Sequence, residues 1–398
     1  MPHPLTTPLL TILLKPEGQA ALDWVATQRL AGQTSLQIQQ RNRQIDASLL
    51  RGALYLWDQR DRGTSKFGDR AQTLYFDDDG LQMASSLAVA RHRATRFGDE
   101  PVVDLCCGIG GDLMALAERG LCIGVDVDAA RLLMAQANTA SQQGNVQLIC
   151  GDAAAAPVRA GTAAIADPAR RQGGRRARSG KDYEPDLGCI DIWRRHFDHI
   201  AVKVSPALDP AEVPSREEVE YVSWQGQCRE AVFWFGAHSG CRRRASLILE
   251  QVTHTMASAN DQILRPQVEL AGAYLYDPDP AIVRSHLVGE LARELDAWLI
   301  AADVAYLSTQ QLQPTPWARA LKVVEQVPFQ LKNLQRLMRR NGWQPGGIRR
   351  RHFPIEPETL RRQLGRFGAE TERMELVCTR IAGKTTVFIC APVDETAR

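Results

Sequence analysis

The sequence predicts an α/β protein whose central part is a parallel sheet covered by helices on both faces. From Pro101 onward, short apolar runs alternate with helical stretches, and this alternation is typical of such a sheet. Before that point apolar residues recur at helical spacing, and after about Leu264 helices precede a terminal hairpin. We therefore expect an N-terminal helical region (residues 1–98), an α/β domain (99–262) and a C-terminal α+β domain (263–398).

The N-terminal region shows helical periodicity in three segments. Apolar residues at steps of three and four positions predict helices over 19–30, 35–57 and 82–97. Turn-rich stretches at 61–68 and 77–80 interrupt them.

The central region carries the strand pattern. Short apolar runs predict strands at 102–105, 121–125, 146–150 and 163–166, with helices over 113–118 and 129–139 between them. Further strands are predicted at 200–204, 220–224, 231–235 and 246–249. The last three follow one another closely, which suits an antiparallel hairpin at one edge of the sheet.

The C-terminal region is less regular. Proline-punctuated helical patterns cover 280–300 and 329–340. Two apolar runs, 374–380 and 385–390, are joined through a glycine-containing turn and predict a hairpin.

Composition excludes several classes of protein. The 398 residues are 44% hydrophobic and 24% charged, as in ordinary globular proteins, which argues against disorder and coiled coil. No apolar run reaches the roughly 18–20 residues of a membrane helix, and the stretch 9–14 lacks the basic start of a signal peptide. The nine cysteines contain no C-x-x-C pair, so we expect reduced thiols in a cytoplasmic protein and no metal ion.

Basic residues are concentrated in a few places, although the net charge is only +2. Residues 170–181 hold six basic residues and no acid, and runs of arginine occur at 242–244, 349–351 and 361–362. Residues 329–373 hold 11 basic residues, with Lys322 just before them, against four acids. Such clusters indicate either a surface for a polyanion or simply solvated charge.

The strongest local motif is a glycine-rich turn that follows the first predicted strand and opens a helix. It runs from Asp104 through Gly108 and Gly110 to Asp112. A dinucleotide fingerprint needs a third glycine, but Leu113 stands at that position. Asp104 and Asp112 would repel a pyrophosphate and favour a cation, so we expect the cationic sulfonium of S-adenosylmethionine as the ligand.

Three more acids follow the next strands. Asp126 lies 22 positions beyond Asp104, where a carboxylate can accept from ribose hydroxyls, and Asp152 can accept from an adenine amino group. Asp167-Pro168 follows the fourth strand. Ligands of open parallel sheets bind at the carboxyl ends of the strands, and four acids at that position are hard to explain as helix caps alone.

The motifs D-L-x-C-G-x-G-G-D, G-V-D-x-D, G-D-A and D-P resemble those of the class I S-adenosylmethionine-dependent methyltransferases over residues 99–250. This resemblance implies a Rossmann-like seven-stranded sheet. The segments that begin at Tyr274, Ala305, Pro314 and Val327 look like a THUMP-like domain, which follows the catalytic domain in some of these enzymes. The THUMP name implies RNA binding by analogy.

The resemblance also implies roles for individual residues. Asp104, Gly108 and Gly110 would line the methionine part of the cofactor, Asp126 would hold its ribose and Asp152 its adenine. Asp167 and Pro168 would face the methyl acceptor, with Asp167 orienting or deprotonating a nitrogen.

The acceptor side departs from the patterns of related enzymes. Ala169-Arg170 replaces the Pro-aromatic pair of the amino-group methyltransferases. Uracil-5 methyltransferases need a cysteine after the next strand, but Val202-Lys-Val-Ser-Pro206 has none. We therefore expect direct in-line methyl transfer without a covalent enzyme intermediate.

The arginine-rich loop beyond Arg170 suggests the substrate. Its arginines would bind phosphates and Tyr183 would stack on a base, which predicts an RNA substrate such as tRNA or rRNA. The substrate-binding residues expected here are Arg170, Arg171, Arg175, Arg176 and Tyr183. The alternatives are a solvated lid, a methyltransferase of a small molecule or protein, a noncatalytic RNA-binding scaffold and, more remotely, an NAD oxidoreductase.

Overall fold

The computed structural model describes residues 5–140, 146–156, 158, 161–170, 179–213, 216–250, 252–368 and 371–393. It divides into two compact units. The first unit comprises Met1–Val219 and Glu230–Gly240, and the second comprises Glu220–Arg229 and Cys241–Arg398. The three domain boundaries expected from the sequence stay predictions.

The N-terminal region is helical, as predicted, but its described residues form six α-helices where three helical segments were expected. One of them, Ala47–Phe67, continues through the expected break at 61–68. The six helices are α1 (Thr7–Leu13), α2 (Pro16–Leu30), α3 (Ser35–Arg41), α4 (Ala47–Phe67), α5 (Asp78–Met83) and α6 (Leu87–Ala94). Polar caps start several of them: the Asp46 carboxylate accepts from the backbone N–H groups of Ser48 and Leu49, which satisfies donors that a helix leaves unpaired. Their apolar faces form one hydrophobic cluster with Ile109 and Met134.

The parallel sheet of the first unit confirms the predicted α/β fold. Its elements are β1 (Val102–Asp104), α7 (Leu113–Leu116), β2 (Cys122–Asp126), α8 (Ala129–Thr139), β3 (Val146–Cys150), β4 (Gly161–Ala166), β5 (Ala169–Arg170), β6 (Tyr183–Glu184), α9 (Ile190–Trp193), β7 (Phe197–Val204), β8 (Glu218–Trp224) and β9 (Gln227–Phe235). Within this unit the strands follow the order β9-β7-β4-β1-β2-β3. Strands β7, β4, β1, β2 and β3 are parallel, and β9 is antiparallel to β7.

Strand register gathers the predicted acids at one edge of the sheet. Asp104, the last residue of β1, is paired with Gly124 of β2 and Ile165 of β4. Asp126 and Asp167 therefore follow their paired positions by two residues each, which places them at the same end of the sheet. Asp126 is in turn paired with Cys150 of β3, two residues before Asp152.

The second unit is a mixed α+β structure. It includes Glu220–Arg229, which covers most of β8 and the start of β9. Its further elements are β10 (Arg243–Leu249), β11 (Val252–Ser258), β12 (Tyr274–Pro278), α10 (Pro280–Arg284), α11 (Val288–Leu295), β13 (Trp298–Ala301), β14 (Val304–Thr309), β15 (Ala318–Pro328), α12 (Leu331–Arg340), β16 (Trp343–Arg350), α13 (Pro357–Leu364), β17 (Glu372–Ile381) and β18 (Lys384–Pro392). Strands β11, β10 and β8 lie side by side, and a seven-stranded sheet has the order β13-β14-β12-β15-β18-β17-β16. The predicted hairpin of β17 and β18 is confirmed.

Sequence reasoning missed most strands of this second sheet. The predicted helix over 280–300 is wrong at its end, because Asp296 adopts a left-handed conformation (φ +50) that terminates α11 before β13. Strand β15 was missed because most of its side chains are exposed or half-buried, so that no clear apolar run marks it.

Each unit has its own hydrophobic clusters. In the first unit, Leu113, Ile165 and Trp234 belong to a cluster on the sheet. In the second unit, one cluster includes Leu334 of α12 and another includes Tyr306 of β14. None of the helices formed by the described residues combines the length and apolar character needed to cross a bilayer.

Candidate functional site

The glycine-rich turn after β1 leaves open space beside its backbone. Gly108 has φ +52, and a Cβ added there would meet no heavy atom within 4 Å. Gly110 has φ +84, and a Cβ there would come within 3.1 Å of the backbone of Ala135 in α8. Both positions therefore require glycine, Gly110 for close packing on a helix and Gly108 for a free approach to the main chain.

Asp126 is tied to this turn. Its carboxylate accepts from the Gly108 N–H at 2.8 Å and from the Asp128 N–H at 2.9 Å. The side chain is half-buried. Asp152, on the neighbouring strand end, is exposed and accepts from the Ala154 N–H at 2.8 Å.

Asp104 is the buried acid of the site, 2% exposed. Burial raises the pKa of its carboxyl well above the usual range, the nearby Asp112 carboxylate raises it further, and Lys203 opposes both. Acids of the site also act on the pKa of the nearby Cys106 thiol. Burial raises its pKa first, and Asp104, Asp167 and Asp126 each raise it further.

A buried ion network lies beside these acids. Asp112 is bonded to Arg93 of α6 and, at 3.0 Å, to Lys203 of β7. Arg93 also pairs with Glu230 of β9, and Lys203 also pairs with Asp167. Sequence reasoning did not identify Lys203 and Glu230 as members of this network. A lysine inside the apolar strand 200–204 was the available signal.

The two cations keep Asp112 ionised. Burial alone would raise the pKa of Asp112, but Arg93 and Lys203 outweigh burial and lower it to about 2. Burial would likewise lower the pKa of Lys203, but Asp112 and Asp167 raise it above its usual range. Removing one partner from such a buried network costs about 3–5 kcal/mol in proteins, because the others remain buried and unpaired.

The charge balance of the site suits a cationic ligand. Four carboxyl groups, from Asp104, Asp112, Asp167 and Glu230, lie near only two cationic side chains of this network, Arg93 and Lys203. Burial is the main cause of the raised pKa of Asp104, and the neighbouring Asp112 carboxylate adds to it. A ligand with a positive charge beside Gly108 would stabilise the ionised carboxylate, so the residues present fit S-adenosylmethionine.

Asp167 and Pro168 lie at the end of β4, next to this network. The Asp167 side chain is 31% exposed and is oriented by the ammonium of Lys203, while Pro168 is buried. Asp167 is therefore the most exposed acid of this network.

The predicted substrate residues are only partly described. Arg171, Arg175 and Arg176 lie outside the described residues, and of Arg170 only the backbone is described, paired with Tyr183. The prediction that Tyr183 stacks on a base is wrong for this structure. Its ring is 1% exposed, and its hydroxyl accepts from the backbone N–H of Ser205 at 2.9 Å.

Several arginines of the basic runs form ion pairs within the second unit. Arg349 and Arg351 both donate to Asp277 at 2.9 Å, and Arg350 pairs with Glu356 at 2.6 Å. The buried Arg243 donates to Glu290 at 3.1 Å. These arginines are therefore not free phosphate ligands.

Helix α12 is different. Its basic face, which consists of Lys332, Arg336, Arg339 and Arg340, is exposed, and none of the four forms an ion pair with a described acid. With Gln335 they line a groove of about 560 Å³.

Two family models match the chain. A model described as a methyltransferase domain matches residues 102–166, which run from the start of β1 to the end of β4. A model described as THUMP domain-like matches residues 318–392, which run from β15 to β18.

The chain is similar to known proteins over most of its length. Two uncharacterized S-adenosylmethionine-dependent methyltransferases of Mycobacterium tuberculosis, from strains CDC 1551 and H37Rv, are each 34% identical over 349 residues, which is 84% of this chain and 94% of each relative. The crystal structure of a candidate methyltransferase from Porphyromonas gingivalis W83 has a TM-score of 0.78 at 20% identity. It covers 94% of this chain and 98% of that one, which shows that the fold is shared.

Proposed function

The chain belongs to the family of S-adenosylmethionine-dependent methyltransferases, and on that premise we propose that it methylates RNA, tRNA or rRNA, by direct in-line transfer. Bound S-adenosylmethionine supplies a methyl group on a positively charged sulfur. The residues of the chain hold this donor, orient the acceptor and keep water away. The substrate, the transfer route and the residue roles are the parts that we propose.

The cofactor would be held by the glycine-rich turn and the strand-end acids. Gly108 offers open backbone, Asp104 and Gly110 line the methionine part, Asp126 binds the ribose hydroxyls and Asp152 the adenine edge. The fixed orientation of Asp126, set by two backbone N–H groups, supports its role because a preorganised carboxylate loses little entropy on binding.

Asp167 and Pro168 would face the acceptor. Lys203 holds the Asp167 carboxylate in one orientation, and a carboxylate so placed can accept the proton of a nitrogen nucleophile. Lys203 and Arg93 are positioning residues in this scheme.

The cysteines support transfer without a covalent intermediate. Cys106 and Cys107 lie in the glycine-rich turn, and burial followed by Asp104 raises the pKa of both thiols well above the usual range. The thiolate is the nucleophilic form of cysteine, so these two thiols are poor nucleophiles.

The observation that carries the RNA proposal is the basic face of α12. Four exposed cations without a described acidic partner lie on the helix that falls inside the THUMP domain-like match. By contrast, Arg349, Arg350 and Arg351 of the same unit pair with acids. The arginines of the loop that begins at Arg170 would add to the interface.

The test is transfer of tritiated methyl groups to RNA, protein and metabolite fractions from cells that lack the protein. We expect label in RNA, and mass-spectrometric nucleoside analysis of the same cells should show one methylated nucleoside missing. The Asp126→Ala variant, which should not bind the cofactor, sets the background. Label in protein or metabolites alone would replace the RNA proposal by another substrate class, and label in no fraction would contradict it.

A further inference from the structure

A second cluster of polar side chains lies at the opposite end of the parallel sheet from the strand-end acids. Glu100 precedes β1, His199 is the third residue of β7, and His238 follows β9. His199 is four residues before Lys203 on the same strand, which separates the two positions by about 13 Å at 3.3 Å per residue. The cluster therefore belongs to a different site from the methyl-transfer centre.

The three side chains converge. Their ligand atoms, one carboxylate oxygen and two imidazole nitrogens, all lie within 4.8 Å of one another. The Nε2 of His238 is 2.8 Å from Oε1 of Glu100, and the rings of His199 and His238 have centroids 4.3 Å apart. Neighbouring ligands of a tetrahedral zinc ion are about 3.3 Å apart, given metal–ligand bonds of about 2.0–2.1 Å. Small side-chain movements would bring these atoms to that spacing.

The surroundings hold the cluster in place. Arg96 donates to the carbonyl oxygen of His238 at 2.6 Å. Glu217 accepts from the Gly236 N–H at 2.8 Å and from the Ser239 hydroxyl at 2.9 Å, which fixes the turn that carries His238. A Cβ at Gly236 would collide with the carbonyl oxygen of Asp198, so this turn has little freedom.

The chemistry of the donors suits a metal ion. The Glu100 and His238 side chains are 19% and 18% exposed, which leaves a path for an ion to enter. Imidazole nitrogen with one carboxylate is a ligand set that zinc and neighbouring transition metals prefer.

We propose that Glu100, His199 and His238 bind one divalent transition-metal ion of the zinc class, with a fourth position left to water. This differs from the expectation of no metal, because the three ligands are too far apart in the sequence to form a recognisable motif. The ion would tie the start of β1 to β7 and to the turn after β9 and so stabilise the first unit. It has no part in methyl transfer.

The test uses the untagged full-length chain after treatment with a chelator. Titration with Co²⁺ should give one equivalent of bound ion with visible d–d absorption and no near-ultraviolet thiolate-to-cobalt band, since the nine cysteines are not ligands. Zn²⁺ should displace the cobalt and raise the melting temperature. His199→Gln and His238→Gln should each weaken binding by roughly 10–100-fold or more, the range seen when even a supporting partner of a metal ligand is lost.

A matched control is available in the second unit. His352 lies 3.2 Å from Asp303 in an exposed pair that has no third ligand among the residues that the structure describes, so His352→Gln should leave cobalt binding unchanged. S-adenosylmethionine binding by each histidine variant checks that it is folded. Absence of cobalt uptake by the folded wild-type chain, binding that survives in both His199→Gln and His238→Gln, or a thiolate band would overturn the proposal.

Discussion

Asp104 is the residue through which we expect protonation to be coupled to cofactor binding. It is buried at the end of β1, and burial and Asp112 raise its pKa while Lys203 lowers it. In the free protein the group therefore keeps its proton to a higher pH than an ordinary aspartic acid. A cationic ligand binds best to the ionised form, so binding releases this proton.

We expect the affinity for S-adenosylmethionine to increase as the pH rises through the raised pKa of Asp104. Asp104→Asn removes the charge and should remove this part of the pH dependence. It should also weaken binding by about 1.5–3 kcal/mol, roughly 10- to 100-fold in Kd, the usual worth of a hydrogen bond to a charged group. Calorimetric titration measures Kd for both proteins at each pH. Because the ligand is the same in both series, its own titration does not contribute to the difference between the wild type and the variant.

The control for this prediction is Asp99→Asn, an exposed aspartate in the loop before β1. It should bind the cofactor as the wild type does at every pH. A pH profile that is the same in the wild type and in Asp104→Asn would show that Asp104 does not face the positive charge.

Among the individual elements, helix α12 has one buried apolar face and one exposed basic face. Leu334 and Met338 are buried in the second unit, and the basic face points to solvent. Arg339 and Arg340 also lie in the last turn, where they interact favourably with the helix dipole. The helix is therefore stable without acidic partners for its cations, and those cations remain available to phosphates.

Reversing two of these charges with Arg336→Glu and Arg339→Glu should weaken RNA binding and make its salt dependence shallower. Each lost phosphate contact reduces the slope of log K against log salt by roughly 0.7–0.9, because fewer counterions are released. Filter binding or fluorescence anisotropy at several salt concentrations measures the slope.

The double variant Arg41→Glu, Arg43→Glu makes the same change of charge on exposed residues of the first unit and is the matched control. It should keep the wild-type slope. Equal slopes in the α12 variant and the control would mean that α12 does not contact RNA.

For the molecule as a whole, the proposed cofactor site and the basic face of α12 belong to different compact units. The residues proposed for the cofactor are in the first unit and α12 is in the second. Each unit has hydrophobic clusters of its own, so each can respond to its ligand through its own packing.

Hydrogen exchange followed by mass spectrometry should show this division. Saturating S-adenosylmethionine should slow exchange in residues 104–112 and around 126–128, because binding to the native state alone suppresses local opening. RNA should slow exchange in 331–340. In Asp126→Ala the first effect should disappear while the second stays, and protection by the cofactor confined to the second unit would contradict the proposed site.

The sequence alone predicted the parallel sheet and the acids at one of its edges. Alternating apolar runs and helices indicate a parallel sheet, and in such a sheet the residues after each strand meet at one edge. Asp104, Asp126, Asp152 and Asp167 could therefore be placed there from local pattern alone.

Only the tertiary structure decided which side chains surround them. Arg93, Lys203 and Glu230 come from three distant segments, and their pairing with Asp112 and Asp167 depends on packing between elements. The same holds for Glu100, His199 and His238, and for Tyr183, whose burial no local pattern encodes. Periodicity reports which way a residue faces along its own element, whereas contacts between elements depend on how the whole chain folds.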